Sequence, residues 1–338
     1  MSGRRPTMRD VGERAGVSFK TVSRVVNGEA AVRPEVRERV LAAIEELGYR
    51  PDPAASTLRR ADGRTGTVAV IVDDLANPFA ATLHRAVVDV MRERATLVLS
   101  ASTDEAPARE QEAFRAFVDR RIDGLILMPT SADHGWLADV RGPEIPVVMV
   151  DRPAVGFDTD VVLSDHREAA ARATTHLIHR GHRRIALLTE ALDVHTARER
   201  LAGYEDALAA AGLALDPALV RSGLHDRDGA QDAAVELLDA PDPPTAIFGG
   251  YNRATVGAIH ALRRLDLQHA VALVGFDDVV LADLLEPAIS VIAQDPIAIG
   301  TAAAEQLRRR LDGDDRAASP RVIPTRLIPR GSGEIPAP

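Results

Sequence analysis

The chain is predicted to be an α/β protein with a small all-helical head followed by two doubly wound parallel α/β lobes. Three observations predict this fold class. The length of 338 residues suggests two or three folding units. The first 60 or so residues show only helical periodicity. Beyond residue 66, short apolar runs alternate with amphipathic stretches of helical length, and they are too numerous for one small sheet.

The head is predicted to contain three short helices, each bounded by sequence signals. The expected starts are Thr7, Ser18 and Pro34, and the expected stops are Gly16, Gly28 and Gly48. Asp10, three residues after Thr7, completes a box-like start. Residues 53–60 form a fourth segment that is too short to be a stable helix alone. We therefore assign residues 1–50 to the head and 51–65 to a hinge helix and linker.

The body, residues 66–330, is predicted from alternating segments. The predicted strands are Val68–Val72, Thr96–Ser100, Gly124–Met128, Pro146–Val150, Ile185–Leu188, Thr245–Phe248 and Ala272–Val274. The predicted helices are 80–94, 108–121, 167–180, 198–211, 229–239 and 253–265. Residues 331–338 are expected to form a disordered tail.

The overall acidic charge conceals a basic head. The formal net charge is −9, yet residues 1–60 carry 12 Lys and Arg against 8 Asp and Glu. Such a division is typical of a polyanion-binding module joined to a domain that does not touch the polyanion. The chain has no cysteine, no apolar run long enough to span a membrane and no signal-peptide pattern. We therefore expect a cytoplasmic protein without disulfides.

The second predicted helix carries side chains suited to DNA. Two short helices joined by a tight turn form a helix-turn-helix, whose second helix enters the major groove. Phe19, Lys20 and Arg24 are predicted to contact bases, because cationic side chains bond guanine and a ring packs on a thymine methyl. The predicted contacts to the DNA backbone are Ser18, Thr21, Ser23, Asn27 and Tyr49. The alternative interpretation is a solvated polar face on a simple three-helix bundle.

Longer sequence stretches decide between these interpretations. The head contains Ala15-Gly16-Val17-Ser18, Thr21-Val22-Ser23-Arg24-Val25 and Leu47-Gly48-Tyr49 within the range Thr7–Leu58. The body contains Arg121-Ile122-Asp123-Gly124, Arg200-Leu201-Ala202-Gly203-Tyr204 and Val274-Gly275-Phe276-Asp277-Asp278. Over nearly its whole length the chain resembles the LacI/GalR family of transcriptional regulators, whose body is similar to periplasmic sugar-binding proteins.

The resemblance implies a hinge that reads the minor groove. It places Leu58 as a wedge at the operator centre, with Ala55 and Arg59 beside it; an apolar wedge unstacks a base step and bends the duplex. The alternative is that Leu58 only packs on the core. Ser56 stands where the family often has Arg, and Asp52 where it often has Asn, which leaves the hinge affinity open.

The resemblance also implies an effector cleft between the lobes. The chain is expected to cross between them near Asp165, Gln294 and Ile323. The N-lobe then comprises about 66–163 and 293–322, and the C-lobe about 164–292 and 323–330. Ligands bind at the carboxyl ends of strands in such a crevice. The candidate effector contacts are Phe79, Asp151, Thr196, Arg200, Tyr251 and Asp277. Helix or turn capping is the alternative role for Asp151 and Asp277. Tyr251 and His166 stand where the family often has Asn, so the effector cannot be named by analogy.

The leading functional hypothesis is a repressor that binds a pseudo-palindromic, double-stranded DNA operator as a homodimer under the control of a small molecule, expected to be a sugar. Without a leucine heptad tail, a tetramer is not expected. One alternative is a solute-binding protein whose head is vestigial or non-specific; another is an enzyme with a DNA-binding head. No phosphate loop or nucleophile elbow supports catalysis. No cofactor or metal is expected, and His176, His179 and His182 are interpreted as surface residues rather than metal ligands.

Overall fold

A computed structural model describes residues 6–26, 32–50, 64–130, 133–140 and 145–338. The chain divides into two compact units, Met1–Thr65 and Gly66–Pro338. None of the helices in these described ranges is long and apolar enough to cross a membrane.

The head contains α1 (Met8–Ala15), α2 (Phe19–Val26) and α3 (Pro34–Leu47). The Thr7 and Asp10 box is present: the Thr7 backbone N–H donates to Asp10 Oδ2 at 2.7 Å, and the Asp10 N–H donates to Thr7 Oγ1 at 3.4 Å. Gly16 ends α1 in the left-handed region, with φ of 67°, where a side chain would be strained. The three helices close over a small apolar core made by Val11, Ala15, Val22, Val25, Val40, Ala43 and Tyr49.

The body contains strands and helices in the following order. The first part holds β1 (Thr67–Val72), α4 (Pro78–Arg92), β2 (Leu97–Ser102), α5 (Pro107–Asp119), β3 (Gly124–Leu127), α6 (Trp136–Val140), β4 (Val147–Val150) and β5 (Asp160–Ser164). The middle part holds α7 (His166–His179), β6 (Ile185–Leu188), α8 (His195–Ala210), β7 (Val220–Arg221), α9 (Arg227–Leu238), β8 (Ala246–Gly249), α10 (Asn252–Arg264), β9 (Ala272–Phe276) and β10 (Ser290–Ala293). The last part holds α11 (Pro296–Leu311), β11 (Pro320–Ile323) and β12 (Arg326–Ile328).

These strands form two six-stranded sheets, one in each lobe. The N-lobe sheet has the order β11-β5-β4-β3-β1-β2 and is parallel throughout. The C-lobe sheet has the order β12-β10-β9-β8-β6-β7 and is parallel except for β12, which runs antiparallel to β10. Apolar side chains cover both faces of each sheet. Strands buried on both sides read as continuous apolar runs, which is why the sequence identified the central ones.

The chain passes between the sheets three times, after β5, after β10 and after β11. Asp165 joins two of these crossings. Its Oδ1 accepts the Thr325 backbone N–H at 2.7 Å, and its Oδ2 accepts from Arg172 at 3.0 Å. The first and third crossings are therefore fixed side by side, which leaves the lobes connected at a narrow hinge.

The sequence interpretation did not anticipate β5, β7, β10, β11, β12 or the long helix α11. Most of these strands are short, and β11 is largely exposed, so neither an apolar run nor clean alternation marks it. Helix α11 did carry a readable start signal: Asp295 accepts the Ala298 N–H at 2.9 Å, and Pro296 occupies the first turn.

The expectation of a disordered tail is wrong. Ser332–Glu334 form a short 3₁₀ helix, and Ser332 is 2% exposed. Glu334 accepts from Ser290 Oγ and lies 2.6 Å from His176 Nε2. The Ala337 N–H donates to the Arg180 carbonyl at 3.0 Å. Partners distant in sequence order this segment, and composition alone does not reveal them.

Candidate functional site

One exposed face of α2 carries the residues predicted to read bases. Val22 and Val25 are buried in the head core, so the opposite side of the helix is turned to solvent. Phe19 is 49% exposed, an unusual position for a large aromatic side chain, and Lys20 and Arg24 are exposed with it. The face therefore presents a ring and two cations at helical spacing.

The predicted DNA-backbone residues have more varied surroundings. Ser18 is exposed, and Thr21 and Ser23 are half-buried. The Ser18 hydroxyl also caps α2, accepting the Thr21 N–H at 3.2 Å. Tyr49 is only 9% exposed and packs in the head core, so core packing accounts for its ring. Asn27, Ala55, Leu58 and Arg59 lie outside the described residues, as do Asp52 and Ser56.

The body contains a cleft where the carboxyl ends of the strands of both sheets meet. A cavity of about 530 Å³ is lined by residues of the N-lobe and C-lobe together, and a second cavity measures about 170 Å³. Side chains around the larger cavity include Asn77, Phe79, Thr82, Asn252, Val256, Asp277 and Gln294. Those around the smaller one include Asp73, Glu105, Glu190, Leu224 and Tyr251. The combined space is typical of a small-molecule site.

The two lobes place a carboxylate in the cleft by the same backbone device. Asp151 follows β4 and Asp277 follows β9, and both have left-handed φ angles, 67° and 68°. The Asp151 N–H donates to the Val162 carbonyl at 2.9 Å, and the Asp277 N–H donates to the Ile292 carbonyl at 2.8 Å. The N–H of each Asp thus adds one hydrogen bond to the ladder with the neighbouring strand. Its left-handed backbone conformation is strained by about 1–3 kcal/mol. Strained residues of this kind concentrate at functional sites.

Arg200, on the first turns of α8, is enclosed within the C-lobe side of the cleft. Its side chain is 3% exposed, donates to the Gly250 carbonyl at 2.8 Å and stacks on Phe276 at 3.9 Å from the ring centre. Glu190 Oε2 lies 3.7 Å from the guanidinium. Gly203, one turn further on, permits this position: a Cβ there would lie 2.0 Å from the Arg167 carbonyl oxygen, so α8 could not approach α7.

Burial shifts the titration of several groups around the cleft. It raises the pKa of Asp73 to about 6, and it also raises the pKa values of Glu190 and Asp277, although Arg200 opposes both shifts. Asp277 accepts a 2.8 Å hydrogen bond from Gln294. Burial and the nearby Arg200 hold the pKa of His166 well below its usual value, so this imidazole is neutral at pH 7.

Two polar pairs connect the lobes directly. Asn252 Nδ2 donates to Asn77 Oδ1 at 2.7 Å, and Arg253 donates to Asp74 Oδ2 at 2.6 Å. Both pairs join the start of α10 to the loop before α4. All four residues line the larger cavity, so these pairs join the two walls of the cleft.

The comparisons with known proteins agree with this geometry. The model of bacterial regulatory proteins of the lacI family matches residues 7–52, and the periplasmic binding protein-like domain matches residues 174–333. The ribose operon repressor of Escherichia coli K12 is 33% identical over 309 residues, which cover 90% of this chain and 93% of that protein. The chain belongs to the LacI family.

Other relatives align with this LacI-family chain over nearly its whole length. The HTH-type transcriptional regulator PtxS of Pseudomonas aeruginosa is 34% identical, with 97% of this chain and 96% of that protein covered. A structure of the transcriptional regulator CelR with cellobiose is 32% identical, has a TM-score of 0.71 and covers 97% of this chain and all of that one (100%). The lac repressor dimer bound to operator is 25% identical, with a TM-score of 0.84 and coverage of 98% and 99%. The α/β fold class is confirmed.

The LacI-family chain is a transcriptional regulator with a helix-turn-helix DNA-binding head and an effector-binding body. Of the candidate effector residues, Asp151, Arg200 and Asp277 border one polar cluster, whereas Phe79 lines the larger cavity and Tyr251 the smaller one. Thr196 is buried at the start of α8. Tyr251 donates to the Leu224 carbonyl at 2.7 Å, which fixes its ring as a wall of the smaller cavity.

The cleft of this LacI-family chain also contains polar residues that were not predicted as effector contacts from the sequence. Asp73, Arg152 and Glu190 each follow a strand of the same sheets, so strand ends were the available signal. Glu105 comes from the loop before α5 and is recognisable only through its ion pair with Arg152. In the described part of the chain no three His, Asp or Glu side chains are grouped to hold a metal ion. The interpretation of the three histidines as surface residues is wrong for His182, which is fully buried and contacts Thr245 Oγ1 and the Ile335 carbonyl. His179 is exposed, and the partly buried His176 contacts Glu334.

Proposed function

We propose that this regulator is a repressor, released from a pseudo-palindromic operator when a sugar-class small molecule binds between the lobes of its body. The cleft carries this proposal: carboxylates and amides from both lobes line cavities of sugar size, and the stacked guanidinium of Arg200 lies 3.7 Å from Glu190 on one wall. Carboxylates and Arg bond hydroxyl groups, and an aromatic ring such as Phe79 packs on the apolar face of a sugar. Relatives named for ribose and a structure with cellobiose support the ligand class.

Coupling between ligand and DNA follows from the lobes. A ligand that bonds both walls of the cleft shifts the equilibrium between the open and closed arrangements of the lobes. If DNA affinity differs between these two arrangements, the ligand changes DNA affinity, and DNA changes ligand affinity by the same factor. The Asn77–Asn252 and Asp74–Arg253 pairs are the direct bonds that such a motion would break or strengthen. The hinge role of Ala55, Leu58 and Arg59 remains part of this proposal.

We further propose a homodimer. A single helix-turn-helix buries little surface, and two heads related by symmetry read a palindrome. The body exposes apolar side chains suited to self-association: Leu97 is 60% exposed on the edge strand β2, and Val280 and Leu284 are each 72% exposed. Sedimentation should give twice the chain mass. Val280→Asp with Leu284→Asp should lower it, and Leu215→Asp, elsewhere on the C-lobe, should not.

Selection of DNA from a random pool tests the function directly. The full-length protein should enrich a palindrome, and one member of a sugar panel should abolish the enrichment. Lys20→Ala should remove the sequence preference, because Lys20 is on the exposed face of α2, while Arg115→Ala on α5 should leave it intact. Binding that depends steeply on salt without any enriched sequence would favour the alternative, a solute-binding protein with a non-specific head.

The remaining assignments follow from this role. A regulator of this kind acts where the chromosome lies, so we place it in the cytoplasm. Regulation requires ligand binding rather than turnover, and we therefore expect the sugar that releases DNA to be recovered unchanged.

A further inference from the structure

The inner cleft has an excess of negative charge. Its buried or half-buried ionisable groups are the carboxyls of Asp73, Glu105, Asp151, Glu190 and Asp277 and the guanidiniums of Arg152 and Arg200. They form one electrostatic cluster, because Asp151 acts on Asp73, Glu190 and Asp277, while Arg200 acts on Glu190 and Asp277. With His166 neutral, carboxyls outnumber cations by five to two among these groups. The two cavities are also lined by three further carboxyls and two further guanidiniums, those of Asp74, Asp193, Asp278, Arg227 and Arg253. Arg227 is paired with Asp228 and Arg253 with Asp74, so neither adds an unpaired cation.

Both guanidiniums are largely committed to protein groups. Arg152 forms a two-point ion pair with Glu105 at 2.7 and 2.8 Å and also donates to the Pro129 carbonyl at 3.2 Å. Arg200 donates to the Gly250 carbonyl and is stacked on Phe276. Neither presents the open two-pronged face that binds a carboxylate or phosphate. Each retains a buried Nε without a hydrogen-bond partner.

The cleft also contains acceptors that lack donors. Asp73 Oδ1 and Gln294 Oε1 are buried and have no hydrogen-bond partner. A buried acceptor without a donor raises the free energy of the protein, because it has lost its hydrogen bonds to water. A ligand that donates to such an acceptor removes this penalty and therefore binds more tightly. A hydroxyl group can donate to the carboxyl oxygen of Asp73 or to the amide oxygen of Gln294 while its own oxygen accepts from another donor. A carboxylate or phosphate only accepts and adds negative charge to an acidic site.

We infer that the effector is a polyhydroxyl compound without an acidic group, either neutral or amine-bearing, and that this cleft rejects sugar acids and sugar phosphates. The inference rests on the proposed function and narrows its ligand class. The carboxylates of the cleft select by charge, and the unbonded oxygens of Asp73 and Gln294, on the cavity walls, select for hydroxyls.

Matched ligand sets test the inference. Titration calorimetry with the full-length protein would use D-ribose, D-glucose and cellobiose beside glucosamine, ribose 5-phosphate, glucose 6-phosphate and gluconate. An acidic member should bind at least about 100-fold more weakly than its neutral parent, a difference of about 2.7 kcal/mol. Glucosamine should bind no more weakly than glucose. An acidic compound that binds more tightly than its parent overturns the inference.

Charge-neutral variants provide an independent measurement. The double variant Glu190→Gln with Asp277→Asn keeps the side-chain shapes and removes two carboxylate charges. Its affinity for ribose 5-phosphate, glucose 6-phosphate and gluconate should rise at least about tenfold. Saturation-transfer NMR at high ligand concentration measures this affinity. The matched control, Asp232→Asn with Glu236→Gln on the exposed side of α9, should leave it unchanged. If the cleft variant and the control variant bind the acidic compounds with equal affinity, the carboxylate charges are not what excludes those compounds.

Release of bound DNA separates the inference from the proposed function. If an acidic member releases the DNA, the function stands and the charge inference is wrong. If neutral members bind the cleft and no member alters DNA binding, the inference stands and the proposed control by effector is wrong.

Discussion

Neutralising Asp73 should stabilise the effector-free body. Asp73 lies at the end of β1, and burial raises its pKa from 3.8 to about 6, helped by Glu105 and Asp151 and opposed by Arg152. One oxygen accepts a long 3.4 Å bond from Asn77 Nδ2, and the other has no partner. Asp73→Asn keeps an acceptor of the same shape and removes the buried charge.

The size and sign of the effect follow from proton linkage. The folded chain holds the Asp73 proton more tightly than the unfolded chain, so this group makes the body less stable as the pH rises from about 4 to about 6. Above that range the loss is complete and amounts to about 3 kcal/mol, since one pKa unit corresponds to 1.36 kcal/mol. Near pH 5 the loss is about half as large. The variant should therefore gain about 3 kcal/mol at pH 8 and about 1.5 kcal/mol at pH 5.

Urea or thermal unfolding of the full-length protein at both pH values measures this gain. At pH 8 the midpoint of the body should rise by roughly 6–12 °C, given about 2–4 °C per kcal/mol for a domain of this size. Asp232→Asn, which makes the same change on the exposed surface of α9, should shift it little. A variant that is no more stable than the parent at pH 8, or whose gain does not depend on pH, would show that the buried Asp73 charge does not destabilise the body.

Three further predictions address other parts of the body. Arg200→Ala should lower the free energy of unfolding by about 3–5 kcal/mol, because it removes the donor to the Gly250 carbonyl and the cation beside Glu190. Unfolding titrations measure this change, and a decrease of less than about 1 kcal/mol would contradict the prediction. A double-mutant cycle of Asp74→Asn and Arg253→Gln should give a coupling of about 0.5–1 kcal/mol on ligand affinity, because this half-exposed pair spans the lobes; additive effects would mean that the pair does not bias closure. Glu334→Gln should speed amide hydrogen exchange in the tail, because it weakens the bonds to Ser290 and His176, whereas unchanged exchange would show that apolar packing alone holds the tail.

Arg200 has a structural role as well as a proposed role in effector binding. The sequence presented Arg200 as a candidate effector contact. The structure shows that its guanidinium also supports the wall of the cleft through Gly250 and Phe276. A lost response in Arg200→Ala would therefore report stability as well as ligand contact, and Asp277→Asn is the cleaner probe.

Features that depend on near neighbours in the chain could be predicted from the amino-acid sequence. Capping residues and apolar spacing identified the head helices, because helix ends and amphipathic faces are set by neighbours within a few positions. Buried parallel strands appeared as apolar runs, and the residues that follow them, such as Asp151 and Asp277, were placed at the cleft because parallel strands end at one edge. The motif stretches then indicated the family.

The contacts that these residues make depend on the three-dimensional fold. The Asn77–Asn252 bond joins residues 175 positions apart, and the Arg172 bond to Thr325 spans 153 positions. The charge excess of the cleft emerges only when Asp73 and Glu105 of one lobe face Glu190 and Asp277 of the other. Burial, pKa and hydrogen-bond satisfaction depend on what the fold brings within a few ångströms, and sequence periodicity carries no information about such distant partners.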